Sequence, residues 1–274
     1  MTYRLLALDL DGTVIGRDLV ILPQVKQAIA AAQARGVHVT LATGRMFGAT
    51  LPFAEQLHIR DPLICYQGAL IRDPTSGAIY QHVTMDRALA AEAVELLLAA
   101  DIFVIAYIDE RLCVAARRPE LDAYLSLHPE GAEVVVAPDL ARLAAETAPT
   151  KMLFVAEPPV VERELARLAA HFAGRLSVVR SHEYFGELTA PGINKGTALG
   201  VLAQRLGIPR AQVVAIGDQE NDLPMITWAG LGLAVANAVP TVRQAAAAVV
   251  PAVSAAGVAW AIERYLLDGR ASAE

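Results

Sequence analysis

The stretch Leu5-Leu6-Ala7-Leu8-Asp9-Leu10-Asp11-Gly12-Thr13 decides the fold. An apolar run leads to Asp9, as in a strand buried on both faces of a parallel sheet, and two carboxylates then appear where Gly12 lets the chain turn. In open α/β sheets the carboxyl ends of the strands face the ligand crevice. Residues two apart on a strand share a side, so Asp9 and Asp11 are expected to approach one reacting centre together. An Asp-rich turn that merely closes a strand is the plain alternative for this short pattern. The rest of the chain has to choose between them.

Three later stretches carry matching chemistry. Pro23 and the run Val25 to Arg35 read as a helix stopped by Gly36, and Val37 to Ala42 as a strand, a βαβ unit whose second strand lies parallel to the first. That strand ends in Thr43-Gly44-Arg45, where a hydroxyl and a backbone amide can donate to a phosphate oxygen. Arg45 either contacts the substrate or forms a surface ion pair, and a simple helix cap is the alternative for the whole tripeptide. Lys195 opens a helix marked by Leu199, Leu202 and Leu206; a cation there opposes the helix dipole and calls for an anionic partner. Val213 to Ile216 is another buried strand, ending in Gly217-Asp218-Gln219-Glu220-Asn221-Asp222. Two carboxylates on a loop behind a strand are oxygen ligands suited to Mg2+.

In this order the four motifs resemble those of the haloacid dehalogenase (HAD) superfamily, and in the spelling Asn-Lys-Gly and Gly-Asp-x-x-Asn-Asp its Cof-type (IIB) subgroup. The resemblance covers nearly the entire chain. It implies an α/β fold: a Rossmann-like parallel-sheet core with an inserted α/β cap. It implies that Asp9 is the nucleophile and Asp11 the acid and base. Gly12, Thr43, Gly44, Arg45, Lys195 and Asn221 would bind phosphate or substrate. Mg2+ would be held by Asp9, the main-chain carbonyl of Asp11, Asp218 and Asp222. One departure stands out: Gln67-Gly68-Ala69 occupies a place where Cof-type relatives carry Asn-Gly-Ala, and Asn tolerates left-handed backbone better than Gln.

The expected activity is a magnesium-dependent phosphatase acting through an aspartyl-phosphate on a small-molecule phosphate ester: a sugar phosphate, a phosphorylated cofactor or a nucleotide. A phosphotransferase or phosphomutase using the same intermediate, and a non-enzymatic phosphate-ligand module, are the alternatives. The core is expected over 1–82 and 185–274 and the cap over 83–184, where helices and short strands alternate without acidic strand ends. His128, His171 and His182 read as ordinary histidines, because no second metal-type residue stands at ligand spacing. Tyr184, Phe185 and Glu187 are candidates for lining a pocket.

Composition narrows the partners. The chain has 274 residues and a net charge of -6, with a pI near 5.6, which argues against a nucleic-acid surface. Hydrophobic residues make up 55%, yet the two long uncharged runs, 223–242 and 245–262, contain Pro224, Gly230, Gly232, Pro240, Pro251 and Gly257 and so do not read as membrane spans. Asp9 interrupts the first apolar run too early for a signal peptide, and a cytoplasmic monomer or homodimer is expected. Cys65 and Cys113 each stand alone in apolar sequence and read as buried free thiols.

Overall fold

The computed structural model describes residues 2–127 and 131–267. In chain order its first elements are β1 (Leu5–Leu8), α1 (Pro23–Ala34), β2 (His38–Leu41), α2 (Phe47–Gln56), β3 (Leu63–Cys65), β4 (Leu70–Arg72) and β5 (Ile79–His82). There follow α3 (Arg87–Ala99), β6 (Phe103–Ile108), β7 (Arg111–Val114), α4 (Pro119–Leu127), β8 (Val134–Val136), α5 (Leu140–Glu146), β9 (Lys151–Val155), α6 (Pro158–Phe172), β10 (Ser177–His182) and β11 (Phe185–Thr189). The last are α7 (Lys195–Arg205), β12 (Val213–Gly217), α8 (Leu223–Trp228), β13 (Leu231–Val235), α9 (Pro240–Ala245), β14 (Ala248–Val250) and α10 (Gly257–Ala261).

A parallel five-stranded sheet in the order β14-β13-β12-β1-β2 forms the base. Every residue of β1 and β12 is buried, which is why these strands read as unbroken apolar runs rather than as alternating patterns. The crossover through α1 brings β2 beside β1, and the long return through the middle of the chain brings β12 to its other side. The ends of β1 and β12 are therefore neighbours, with Leu8 opposite Ile216. A single parallel bridge, Ala42 to Ile64, joins β2 to the antiparallel sheet β3-β4-β5.

The second large sheet has six strands, β10-β11-β9-β6-β7-β8. Alternation along its strands separates two faces. Val104, Ala106, Ile108, Met152, Phe154 and Leu188 pack with the α3, α5 and α6 residues Leu97, Leu140, Leu168 and Phe172 in a core of their own. Phe103, Ile105, Tyr107, Leu153, Val155 and Phe185 face the other way and join the core of the parallel sheet. β6 and β7 form a hairpin about Asp109-Glu110, with both residues left-handed (φ 51° and 61°), as a two-residue turn of this kind requires.

One expectation shifts. The boundary at 184/185 falls inside the β10–β11 hairpin, and β11 pairs with β9 as well, so Phe185 to Thr189 continue the six-stranded sheet. We place the return to the parallel sheet after Thr189. Phe185 and Leu188 fall on opposite sides of this strand, so the segment carries no period-two apolar pattern by which sequence alone would show it as a strand. Both cysteines are buried and free. Among the described residues no helix is long and apolar enough to cross a membrane.

Candidate active site

The adjacent ends of β1 and β12 bring Asp9 and Asp218 together, and the turn after β12 folds Asp222 back beneath them. One carboxylate oxygen from each of Asp9, Asp218 and Asp222 lies within 4.8 Å of the others, and all three residues are buried. Lys195, in the first turn of α7, reaches this cluster: its Nζ donates to Asp9 Oδ1 and to Asp222 Oδ1, each at 2.6 Å. The anion that a lysine at a helix start calls for is thus a pair of aspartates. Asp222 Oδ2 accepts from the backbone amides of Asp218 (2.8 Å) and Gln219 (3.0 Å), so both its oxygens are engaged and it fixes the loop and the lysine together. Thr13 Oγ1 donates to Asp218 Oδ1 at 3.2 Å. Gly12 passes close by with φ +86°, and a Cβ there would stand 2.3 Å from Asp218 Oδ2, so only glycine fits both the turn and the approach.

Burial, with the repulsion of Asp222 added and Lys195 opposing, lifts the Asp9 carboxyl to about 7. Burial and the neighbouring Asp9 and Asp222 push Asp218 well above the ordinary carboxylate range. Burial works against the Lys195 ammonium, but Asp222 and Asp9 outweigh it and hold its pKa above normal. Three ionised carboxylates and one ammonium would leave two negative charges uncompensated (-3 + 1 = -2). A cluster of hard oxygen donors short of positive charge fits Mg2+.

The Asp11 carboxylate is held apart from these three. Its two oxygens accept from Arg45 Nε (2.8 Å) and Nη2 (2.6 Å), a two-pronged pair beside the trio rather than within it. The Arg45 side chain is only 2% exposed, so this is a buried guanidinium and not the surface ion pair considered from sequence. Thr43 is buried at the end of β2 and its Oγ1 accepts from the Arg45 amide at 3.1 Å. Gln67 takes a left-handed conformation (φ 60°, ψ 19°), the backbone for which Asn is better suited. Its backbone N–H donates to the Thr43 carbonyl, and its Oε1 accepts from Asn221 Nδ2 at 3.0 Å, which ties the β3 turn to the loop after β12.

A cavity of about 630 Å3 opens over these groups. Asp9, Asp11, Gly12, Thr43, Gly44, Arg45, Gln67, Asp218 and Asn221 line it from below, while Lys195 and Asp222 lie beneath its floor. Lys151, Leu153, Arg180, His182, Phe185 and Glu187 line it from the six-stranded sheet. Phe185 and Glu187 are where sequence placed them; Tyr184 is not in the lining and stacks on His182 with ring centres 5.8 Å apart. His182, read as an ordinary histidine, is in the lining, and burial lowers its pKa. His171 pairs with Glu92 at 2.6 Å away from the cavity, and His128 lies outside the described residues. Sequence reasoning missed Lys151, whose Nζ donates to the Gly44 carbonyl at 2.6 Å. A lone charge entering the apolar run Met152 to Val155 was the signal that could have found it.

Comparison with known proteins follows from this geometry. A family model described as haloacid dehalogenase-like hydrolase matches residues 6–262. YxeH of Bacillus subtilis (strain 168) is 30% identical over 97% of this chain and 99% of its own length. Phosphatase YwpJ of the same organism is 28% identical over 96% of this chain and 100% of its own. The crystal structure of a haloacid dehalogenase-like hydrolase from Bacteroides thetaiotaomicron superimposes with a TM-score of 0.84 at 27% identity, covering 96% of this chain and 100% of that one.

Proposed function

The chain belongs to the haloacid dehalogenase-like hydrolases, as a Cof-type phosphoric monoester hydrolase, and we propose that it removes phosphoryl groups from small phosphorylated metabolites through Asp9 in a magnesium-dependent reaction. The observation that carries this reading is the trio Asp9, Asp218 and Asp222 closed from below by Lys195. Asp9 and Asp218, with the main-chain carbonyl of Asp11, would hold Mg2+; Asp222 fixes the loop behind them. The ion would supply positive charge to the transferring phosphoryl oxygens and keep Asp9 ionised.

Asp9 attacks phosphorus, an aspartyl-phosphate forms, and the ester P–O bond breaks. With Arg45 drawn to the incoming phosphate, Asp11 is free to carry a proton, which it gives to the departing alcohol oxygen; it then takes one from the water that cleaves the acyl phosphate. Thr43 Oγ1 and the Gly44 amide place donors around the equatorial oxygens, where charge develops, and Lys195 adds its positive charge from beneath Asp9. Arg45 grips both oxygens of Asp11 before substrate arrives and is shared with the incoming phosphate. The six-stranded sheet roofs the cavity, so the segment around 83–189 is read as the cap that excludes water and recognises the alcohol part of the substrate.

The test is phosphate release from an aryl phosphate and a panel of metabolite monoesters, with Mg2+ and with chelator. Turnover that needs Mg2+ and disappears in Asp9→Asn supports the reading. Turnover that is unaffected by chelator, or that survives in Asp9→Asn, contradicts it.

A further inference from the structure

The peptide unit between Gly44 and Arg45 lies between a lysine of the six-stranded sheet and the hydroxyl of Thr43. At its carbonyl end, Lys151 Nζ donates to the Gly44 oxygen at 2.6 Å. At its other end, the Arg45 amide donates to Thr43 Oγ1 at 3.1 Å. Thr43 and Lys151 are both buried, where a low dielectric strengthens such bonds. A peptide that accepts from an ammonium at its carbonyl is polarised and becomes a better donor at its N–H, so the three groups form one cooperative chain.

This chain gives the Thr43 hydroxyl a direction. A hydroxyl carries one proton and can accept through its lone pairs. The Arg45 N–H occupies one acceptor position of Oγ1, and among the described residues no group accepts the Thr43 proton. That proton is kept away from Arg45 and left for a phosphoryl oxygen in the cavity that Thr43 lines.

Lys151 comes from outside the parallel sheet. It opens β9 opposite Tyr107 of β6, pairs with Glu187 Oε2 of β11 at 2.9 Å, and lies 4.5 Å from the centre of the Tyr107 ring. The carboxylate and the ring hold the ammonium over Gly44, and glycine permits the approach: a Cβ there would stand 3.3 Å from Glu187 Oε1 and 2.4 Å from Gln67 Nε2. The same sheet grips the segment again four residues on. Glu110, in the β6–β7 turn, accepts from the Gly48 amide at 3.2 Å and from the Tyr66 hydroxyl at 2.9 Å. It thereby caps α2, whose own N-cap residue Met46 makes no side-chain capping bond. Of these two contacts, the one from Lys151 reaches the peptide that holds Thr43.

We propose that Lys151 is a positioning residue for phosphoryl transfer, acting through the Gly44–Arg45 peptide to hold the Thr43 hydroxyl with its proton towards the transferring group. This rests on the phosphatase reading above. Because the ammonium belongs to the six-stranded sheet, Thr43 is aligned only while that sheet is seated on the parallel one.

The experiment is a double-mutant cycle on Lys151→Met and Thr43→Val, read as kcat and KM for an aryl phosphate at saturating Mg2+. Thr43→Val is expected to lower kcat about 10²-fold, the typical loss for one donor to developing charge. Lys151→Met is expected to lower kcat about tenfold or more while KM stays within about twofold, since the bond it supports matters in the transition state. The combined variant is expected to be no slower than Thr43→Val, because the lysine then has nothing to act through. Lys151→Met leaves Glu187 as a buried unpaired carboxylate, so the cycle is repeated with Lys151→Met/Glu187→Gln, in which no charge is stranded, and the same non-additivity is expected. Losses that multiply in this charge-neutral cycle, or a Lys151→Met enzyme with wild-type kcat, would overturn the positioning role while the phosphatase reading stands. Wild-type protein without Mg2+-dependent turnover would overturn both.

Discussion

Lys195 Nζ lies 2.6 Å from Asp9 Oδ1, a contact that joins the first turn of α7 to the end of β1 across 186 residues of sequence. The same ammonium bonds Asp222, so removing it leaves buried carboxylates facing one another. Lys195→Met is expected to lower kcat by about 10²–10³-fold, the typical loss for one donor to developing charge. It should also destabilise the metal-free fold by about 3–5 kcal/mol, the cost of breaking a buried pair. Steady-state kinetics and thermal melts check both; an unchanged Tm would contradict the buried pairing of Lys195 with Asp9 and Asp222.

Arg45 and Asp11 supply a second test. If Asp11 is the acid in the first step and the base in the second, Asp11→Asn should still be phosphorylated by an aryl phosphate, whose leaving group needs no proton, but should hydrolyse the intermediate slowly. The expected record is a burst of the released phenol followed by a slow phase. Equal slowing of both phases would place Asp11 outside the proton transfers.

Gly12 predicts a selective defect. A Cβ there would strike Asp218 Oδ2 at 2.3 Å and would have to adopt φ +86°. Gly12→Ala should therefore displace Asp218, raise the Mg2+ concentration needed for half-maximal activity about tenfold or more, and leave most of the fold intact. Titration of activity against Mg2+, beside circular dichroism, reads both.

The pKa of Asp9 gives a pH dependence of stability in the metal-free protein. The carboxyl ionises near 7 in the fold against about 4 in the unfolded chain, so between those values the folded state holds more protons. Stability from this group is greatest at low pH and is lost as pH rises through that window; Asp218 acts in the same direction. Bound Mg2+ replaces the missing counter-charge, so the rise in Tm that it produces should grow between about pH 5 and about pH 7.5. A rise independent of pH would contradict the charge deficit.

Much of this site was legible in sequence because each reacting group follows a buried strand or opens a helix, and those local patterns carry their own signals. Asp9 and Asp218 stand directly after β1 and β12, and Thr43 two residues after β2, where apolar runs stop. Lys195 announced itself as a cation at a helix start. The wall formed by the six-stranded sheet was less legible. Lys151, Glu187 and His182 reach the cavity through the register of an antiparallel sheet whose strands lie far apart in the chain, and a pairing such as Leu153 with Glu187 leaves no local pattern. The capture of Asp11 by Arg45 was equally hidden, since strand alternation gives the side on which a residue lies and not the partner that holds it.

The most direct test of the account is the site of the covalent intermediate. Asp11→Asn enzyme, mixed with aryl phosphate and Mg2+, quenched in acid and mapped by peptide mass spectrometry, should carry a phosphoryl group on Asp9. A phosphoryl group found on any other residue, or none found while phenol is released in a burst, would contradict it.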